Sequence, residues 1–262
     1  MHIVAVYGWQ KDEALVAKTI ADKLGCVVFE ARQKISGGGP AVLASFADPR
    51  QAETLAANLV QDEVPALVLD SAVVRSRKPA LRVRRFALGQ QTLQFESSDG
   101  ERRELPYDGI ALLLVATCSS GQTQATGTVT ERKFSLGKTL LAGGVPMTKT
   151  VKHETSVNVE ARDETLWLYG HDQNTVIFDR AAMNYNGLGA AMRLTRDLNF
   201  AHLKNELRRL APQAVYDERL LKRAALIRLL GPALSPESDL DLAFEILARS
   251  LRQPPAAAPG CC

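Results

Sequence analysis

Short runs in which every second residue is apolar recur between Leu81 and Asp179, and this alternation constrains the fold more than any other feature. Segments such as TLQFE and TLWLY place side chains alternately on two faces, as strands with one buried face require. Turn residues separate these segments, and SDG at residues 98–100 is typical of a hairpin. A helix follows, with Asn199 as its predicted cap. The pattern predicts a small antiparallel β-barrel with one capping helix.

Residues 81–212 resemble pleckstrin-homology-like domains, as seen in their bacterial and GRAM-type branches. The resemblance rests on FALGQQTLQFESSDGERRELPYDGI, in which x-L-x-F-x-x-x-D-G precedes x-x-L-P-Y-D-x-I. It implies a scaffold that binds phosphoinositides, peptides or partner proteins, generally without catalysis. It also implies a basic ligand site on the first strands and a neighbouring hairpin, here Arg82, Arg84, Arg85, Arg102 and Arg103. A long polar insertion at residues 119–154 departs from the pattern.

A basic segment opens this region and follows a predicted domain boundary at residues 72–80, where Pro79 interrupts the chain. The segment contains no acidic residue among its basic residues Arg75, Arg77, Lys78, Arg82, Arg84 and Arg85. Along LRVRR, arginines alternate with apolar residues, which predicts a strand with one basic face. This face either protects a strand edge from pairing with other chains or binds an anionic ligand. Charge clusters are common on solvated faces, which favours the interpretation as a protected strand edge over an anion-binding surface.

The first 72 residues predict a ferredoxin-like module of order βαββαβ. One helix is expected from Asp12 to Leu24, and a second starts at the capping sequence of residues 48–51. The stretch GPAVLASFADPRQAETLAANLVQDEVPALVLD, at residues 39–70, is similar to sporulation-related repeats, which bind glycans. From this resemblance we take the fold and not the ligand.

Three consecutive glycines, Gly37–Gly39, interrupt this module. The preceding segment CVVFEARQKI has the composition of a strand, so the glycines are expected between two strands. A glycine loop that grips phosphate lies instead between a strand and a helix, whose first amides point at the anion. The sequence therefore favours a mobile hairpin turn over an anion site.

Two more helices are predicted near the C-terminus, from Asp217 to Leu230 and from Ser235 to Leu251, as a helical hairpin within residues 213–252. Their apolar stripes pack either on the barrel, which we favour, or on a partner protein. Residues 253–262 have the composition of a disordered tail. The complete prediction is an α+β fold with a ferredoxin-like module at 1–72, a pleckstrin-homology-like β-barrel at 80–212 and this hairpin.

Motifs for chemistry are weak in this chain. Gly137-Lys138-Thr139 matches the tail of a P-loop, but position 132 is arginine where a P-loop requires glycine. Lys138 is kept as a ligand-binding candidate in the long polar insertion. No histidine has a partner at metal-ligand spacing, so neither a metal nor a cofactor is predicted.

Composition limits the possible functions further. The net charge of the 262 residues is only +3, so any basic binding surface has to be local. No run reaches the ~18 apolar residues of a membrane helix, and no export signal is evident, which predicts a cytoplasmic protein. We expect a non-enzymatic adaptor or regulatory binding protein for a protein partner or an anionic surface.

Two alternatives stay open. One is an enzyme with an interdomain site built from the polar residues Lys138, Lys149, Lys152, His153 and Glu154. The other is binding of single-stranded nucleic acid, which is possible but not favoured because one sequence does not show aromatic and basic residues on one face.

Overall fold

A computed structural model describes residues 1–77, 79–134, 148–171 and 175–253, with side chains described outside 119–134 and 148–162. The chain forms two compact units, one of Met1–Thr117 with Glu164–Cys262 and the other of Cys118–Asp163. The described backbone of the smaller unit is β-strand. The chain is α+β, as predicted.

The N-terminal part of the larger unit is built on a three-stranded antiparallel sheet of order β2-β1-β3. Its elements are β1 (His2–Val6), α1 (Glu13–Leu24), α2 (Val28–Ile35), β2 (Ala41–Phe46), α3 (Pro49–Gln61), β3 (Ala66–Asp70) and α4 (Ser71–Arg75). Helices α1 and α3 begin where the sequence predicts. The carboxylates of Asp12 and Asp48 accept hydrogen bonds from first-turn amides at 2.8 and 3.0 Å, which caps both helices.

Helix α2 corrects the prediction for the segment CVVFEARQKI. Residues 28–35 are helical and not a strand, so the order is βααβαβ instead of the ferredoxin-like βαββαβ. The buried residues Ala31 and Ile35 are four positions apart, which places them on one side of a helix. The apolar residues that suggested a strand, Val27 to Phe29, are between 46% and 69% exposed. Burial at helical spacing therefore overrides their β propensity.

A second, seven-stranded sheet has the order β10-β7-β8-β9-β4-β5-β6. Its elements are β4 (Leu81–Leu88), β5 (Thr92–Ser97), β6 (Arg102–Pro106), β7 (Ile110–Phe134), β8 (Thr148–Gly170), β9 (Thr175–Asp179) and β10 (Val215–Leu220). Strand β9 pairs with β4, and β10 with β7, in parallel. Helix α5 (Arg196–Leu210) precedes β10, and Thr195 caps it where the sequence suggested Asn199.

Among the described strands, neither sheet closes into a barrel, so the predicted closure is wrong. Strand β7 differs from the alternating pattern on which the barrel was predicted. Its consecutive residues Leu112, Leu113, Leu114 and Val115 are all fully buried, so both faces of the strand are covered. Helix α5 covers one face, because Phe200 belongs to the same apolar cluster as Leu113. A sheet covered on both faces has no solvated face, and its strands read as continuous apolar runs.

Two helices, α6 (Arg223–Leu230) and α7 (Leu240–Arg252), end the described chain. The predicted helix from Asp217 to Leu230 is wrong in its first part, since Val215–Leu220 pairs with β7 as a strand. The second predicted helix is present as α7. The hairpin is therefore shorter than expected.

Helix α7 is a core helix, in which every residue from Leu242 to Ala248 is buried. It contacts both sheets: Phe244 stacks on Trp167 of β8, and Arg249 Nη1 donates to the carbonyl of Val68 in β3 at 3.4 Å. Its burial favours packing within this chain over docking on a partner. Within the described part of the chain, no helix is long and apolar enough to cross a membrane.

Candidate anion-binding site

The arginines expected to bind an anion from β4 are exposed, but the strand that carries them is irregular. A β-bulge shifts the register with β5 between Val83 and Arg85. As a result, the consecutive residues Arg84 and Arg85 are both exposed. Arg82 Nη1 lies 3.7 Å from Oδ2 of Asp179, which offsets part of its charge.

The arginines of the neighbouring hairpin, Arg102 and Arg103, lie on opposite faces of β6. Arg102 is opposite Glu96 of β5, with 3.5 Å between Nε and Oε2. Arg85 is opposite Glu96 from the other side. Arg103 is opposite a buried phenylalanine and bonds to Glu101 at 2.8 Å. Arg85, Arg102 and Arg103 nevertheless line one open cleft of about 470 Å³, so the structure brings three of the five predicted arginines together.

The remaining predicted site residue, Lys138, lies outside the described residues. The side chains proposed for the alternative enzyme site also lie outside them: Lys149, Lys152, His153 and Glu154. Both hypotheses stay predictions.

Another group of arginines, which the sequence analysis did not select as a site, surrounds the C-terminal half of α7. The carboxylate of Glu245, only 11% exposed, accepts hydrogen bonds from Arg77 Nη1 and from Arg249 Nε, both at 2.6 Å. Arg75 forms a further ion pair with Asp239, next to the start of α7. These ion pairs attach the basic segment before β4 to α7.

Arg252, in the last turn of α7, adds a third guanidinium group. Its Cζ atom lies 5.0 Å from the ring centroid of Tyr169 in β8, within cation–π range. Arg252 has no acidic partner in an ion pair among the described residues. The next residue, Gln253, accepts a hydrogen bond from the hydroxyl of Tyr7 at 2.6 Å, which fixes the end of α7 near β1.

These side chains line a cleft of about 340 Å³, which we name the α7 cleft. Its lining residues are Arg77, Tyr169, Thr175, Glu245, Arg249, Arg252 and Gln253. A second cleft of about 340 Å³ meets it at Arg252, which lines both. The other lining residues of the second cleft are mostly apolar: Ile110, Ala111, Leu112, His171, Gln213, Val215 and Leu251. The basic α7 cleft therefore adjoins a mostly apolar cleft.

Protonation states in the α7 cleft suit anion binding. Burial would raise the pKa of Glu245, but hydrogen bonds from Arg249 and Arg77 outweigh it and lower that pKa. Burial raises the pKa of Tyr169, so its hydroxyl stays protonated. Guanidinium groups remain charged at physiological pH. The described lining thus carries three positive charges and one negative charge, which gives it a net positive charge.

Sequence analysis missed this site because its partners are far apart in the chain. Arg77 and Glu245 are separated by 168 positions, and no local pattern joins them. The available signal was the pair Arg249 and Arg252, which lie three positions apart on one face of an apolar helix.

Neither a group of metal ligands nor a known relative identifies the function of the site. Within the described residues, no three His, Cys, Asp or Glu side chains are grouped as metal ligands would be. No family model, no curated protein and no solved structure matches this chain.

Proposed function

We propose that this chain is a binding protein and not an enzyme, and that its α7 cleft holds an acidic side chain of a partner protein. The observation that carries the proposal is the excess of guanidinium charge in the cleft. Among the described lining residues, Glu245 alone balances the charges of Arg77, Arg249 and Arg252. Arginine binds carboxylates through charge-assisted hydrogen bonds, often in pairs, and these are stronger than neutral ones.

Glu245 orients two of the three arginines before a ligand arrives. It takes one hydrogen bond from Arg77 and one from Arg249, while each guanidinium group has five N–H donors. The other donors can therefore serve a second acceptor in the cleft. Because the two side chains are already ordered, binding costs less conformational entropy.

Arg252 is the group whose charge the ligand would neutralise. Its interaction with Tyr169 positions the guanidinium without removing its charge. Its place between the basic and the apolar clefts also makes it the residue that any ligand spanning both would contact.

The apolar cleft narrows the class of partner. Ile110, Leu112 and Val215 line it next to Arg252, so an apolar side chain near the acidic one would bury its surface there. This supports a peptide segment in which Asp or Glu lies within a few residues of an apolar residue. The resemblance of residues 81–212 to pleckstrin-homology-like domains would fit the same binding role.

The arginines of β4 and β6 would contribute less to binding. Arg82 and Arg102 lie close to Asp179 and Glu96, respectively. Exposed ion pairs of this kind are weak, but they reduce the local excess of positive charge.

Selection of displayed random peptides on the full chain tests the proposal. Wild type should enrich peptides in which Asp or Glu lies near Leu, Ile, Val or Phe, and Arg252→Glu should abolish that enrichment. Arg50→Glu, the same charge change at an exposed position of α3, is the matched control and should preserve it. Enrichment of peptides that lack acidic residues would contradict the proposal. Enrichment of the same peptides by wild type and Arg252→Glu would also contradict it.

A further inference from the structure

The glycines Gly37–Gly39 connect the end of α2 to β2, and all three have left-handed backbone angles, with φ of 107°, 81° and 70°. A side chain is strained in this region, so the loop conformation requires glycine. Space is also restricted at Gly39, where a Cβ atom would lie 2.6 Å from the ring of Trp9. A Cβ atom at Gly37 would be in ordinary contact with Nη1 of Arg228, at 3.4 Å. The guanidinium group of Arg228 thus lies close to the glycine backbone.

Three basic side chains from three elements converge on this loop. Lys34 of α2 donates to the carbonyl of Leu43 at 3.1 Å. Arg219 of β10 donates to the carbonyl of Gly39 at 2.9 Å. Together with Arg228 of α6, these groups and the glycines line a small cavity of about 60 Å³, which we name the glycine-loop pocket.

The charge of the glycine-loop pocket is unbalanced. Asp217 pairs with Arg219 at 2.7 Å, and neither Lys34 nor Arg228 has an acidic ion-pair partner among the described residues. Two positive charges therefore remain. Lys34 uses one donor on the carbonyl of Leu43, and both Lys34 and Arg228 have further hydrogen-bond donors.

The size of the pocket limits the ligand. A volume of about 60 Å³ holds a few water-sized groups, so a compact anion fits and a large ligand does not. We propose that the glycine-loop pocket binds one phosphate group, and that Lys34, Arg219 and Arg228 are its ligands. This site is independent of the α7 cleft, since the two clefts share no lining residue.

Free phosphate and a phosphate ester present the same group, and calorimetry with two probes distinguishes them. Inorganic phosphate and phenyl phosphate are titrated separately into the full chain at low ionic strength. Equal affinity for the two would identify the phosphate group alone as the ligand. Tighter binding of phenyl phosphate would identify an ester as the ligand. Failure of both to bind would overturn the proposal.

Variants separate a built site from general charge attraction. Arg228→Gln should weaken phosphate binding at least tenfold, and Lys34→Gln should weaken it as well, while Arg50→Gln on α3 leaves it unchanged. Equal weakening by Arg228→Gln and Arg50→Gln would overturn the proposal. Arg252→Glu should not affect phosphate binding, so this experiment and the peptide selection succeed or fail separately. Before titration, a cooperative thermal unfolding transition is measured for each variant to check that the variant is folded.

Discussion

The indole ring of Trp167 stacks on the phenyl ring of Phe244, with 3.9 Å between the ring centroids and 25° between the ring planes. This pair joins β8 of the seven-stranded sheet to α7. Because α7 also supplies Glu245, Arg249 and Arg252, the stack helps to fix the position of the cleft that we propose as the binding site.

Replacement of Phe244 should therefore destabilise the whole of the larger unit. Phe244 is 1% exposed, so Phe244→Ala leaves a cavity and should lower the free energy of unfolding by about 3–5 kcal/mol. Chemical denaturation measures the change. Val27→Ala, which shortens a side chain at a position 61% exposed, is the control and should change stability little. Similar losses for the two variants would contradict the burial of α7.

Glu245→Gln should lower stability at neutral pH and change its pH dependence. Loss of the carboxylate leaves Arg77 and Arg249 without their partner, which should cost about 1–3 kcal/mol. The pKa of Glu245 is lower in the folded than in the unfolded state. Its contribution is therefore complete above the unfolded-state pKa and is lost as pH falls through the folded-state pKa.

Denaturation of wild type and Glu245→Gln at neutral and acidic pH measures this effect. The difference between the two should be largest at neutral pH and should shrink on acidification below the ordinary pKa of glutamate. Glu53→Gln, at an exposed position of α3, should follow wild type throughout. A difference that stays constant with pH would show that the ion pairs do not stabilise the fold.

Gly187 and Gly189 lie in a short 3-10 turn, Asn186–Ala191, and should respond differently to replacement by alanine. A Cβ atom at Gly187 would lie 1.7 Å from the carbonyl oxygen of Phe86, so the backbone of the turn or of β4 has to move. Gly187→Ala should cost more than the about 1–3 kcal/mol typical of overpacking. Gly189 has φ of 53°, ψ of −128° and open space around it, a backbone conformation that side chains disfavour, so Gly189→Ala should cost only the backbone strain of about 1–3 kcal/mol. Thermal or chemical unfolding of both variants gives the comparison, and the reverse ranking would refute it.

The basic surface of β4 and β6 should bind polyanions mainly through its unpaired arginines. Arg84 and Arg85 form no ion pair among the described residues, whereas Arg82 and Arg102 do. On a heparin column, Arg84→Ala with Arg85→Ala should elute at lower salt than wild type. Arg82→Ala with Arg102→Ala should shift elution less, because Asp179 and Glu96 already engage these two guanidinium groups and weaken their contact with the polyanion. Equal shifts would mean that the ion pairs do not reduce the attraction.

Helix ends were predictable where one residue decides the local structure. Asp12 and Asp48 each cap a helix through a bond to an amide two positions later, and such contacts are contained in a few residues of sequence. The alternating segments on β4 and β5 were likewise predictable. The segment CVVFEARQKI was not, because its β-branched residues suit a strand in isolation and only the core decides which of them are buried.

The candidate site was less accessible to prediction than the fold. The basic segment before β4 suggested a solvated face, but Arg77 bonds to Glu245 of α7, and only tertiary structure brings them together. The glycines Gly37–Gly39 suggested a hairpin because the preceding strand was expected. Their neighbours Lys34, Arg219 and Arg228 come from separate parts of the chain.

The amino-acid sequence by itself determined which segments could bury an apolar face and where helices α1 and α3 begin, because periodicity and caps act between near neighbours. Only the tertiary structure decided that the described strands of the seven-stranded sheet do not close into a barrel and that arginines gather around α7 and around the glycine loop. The physical reason is that covering a sheet face and balancing a charge both depend on contacts between residues that are distant in the sequence.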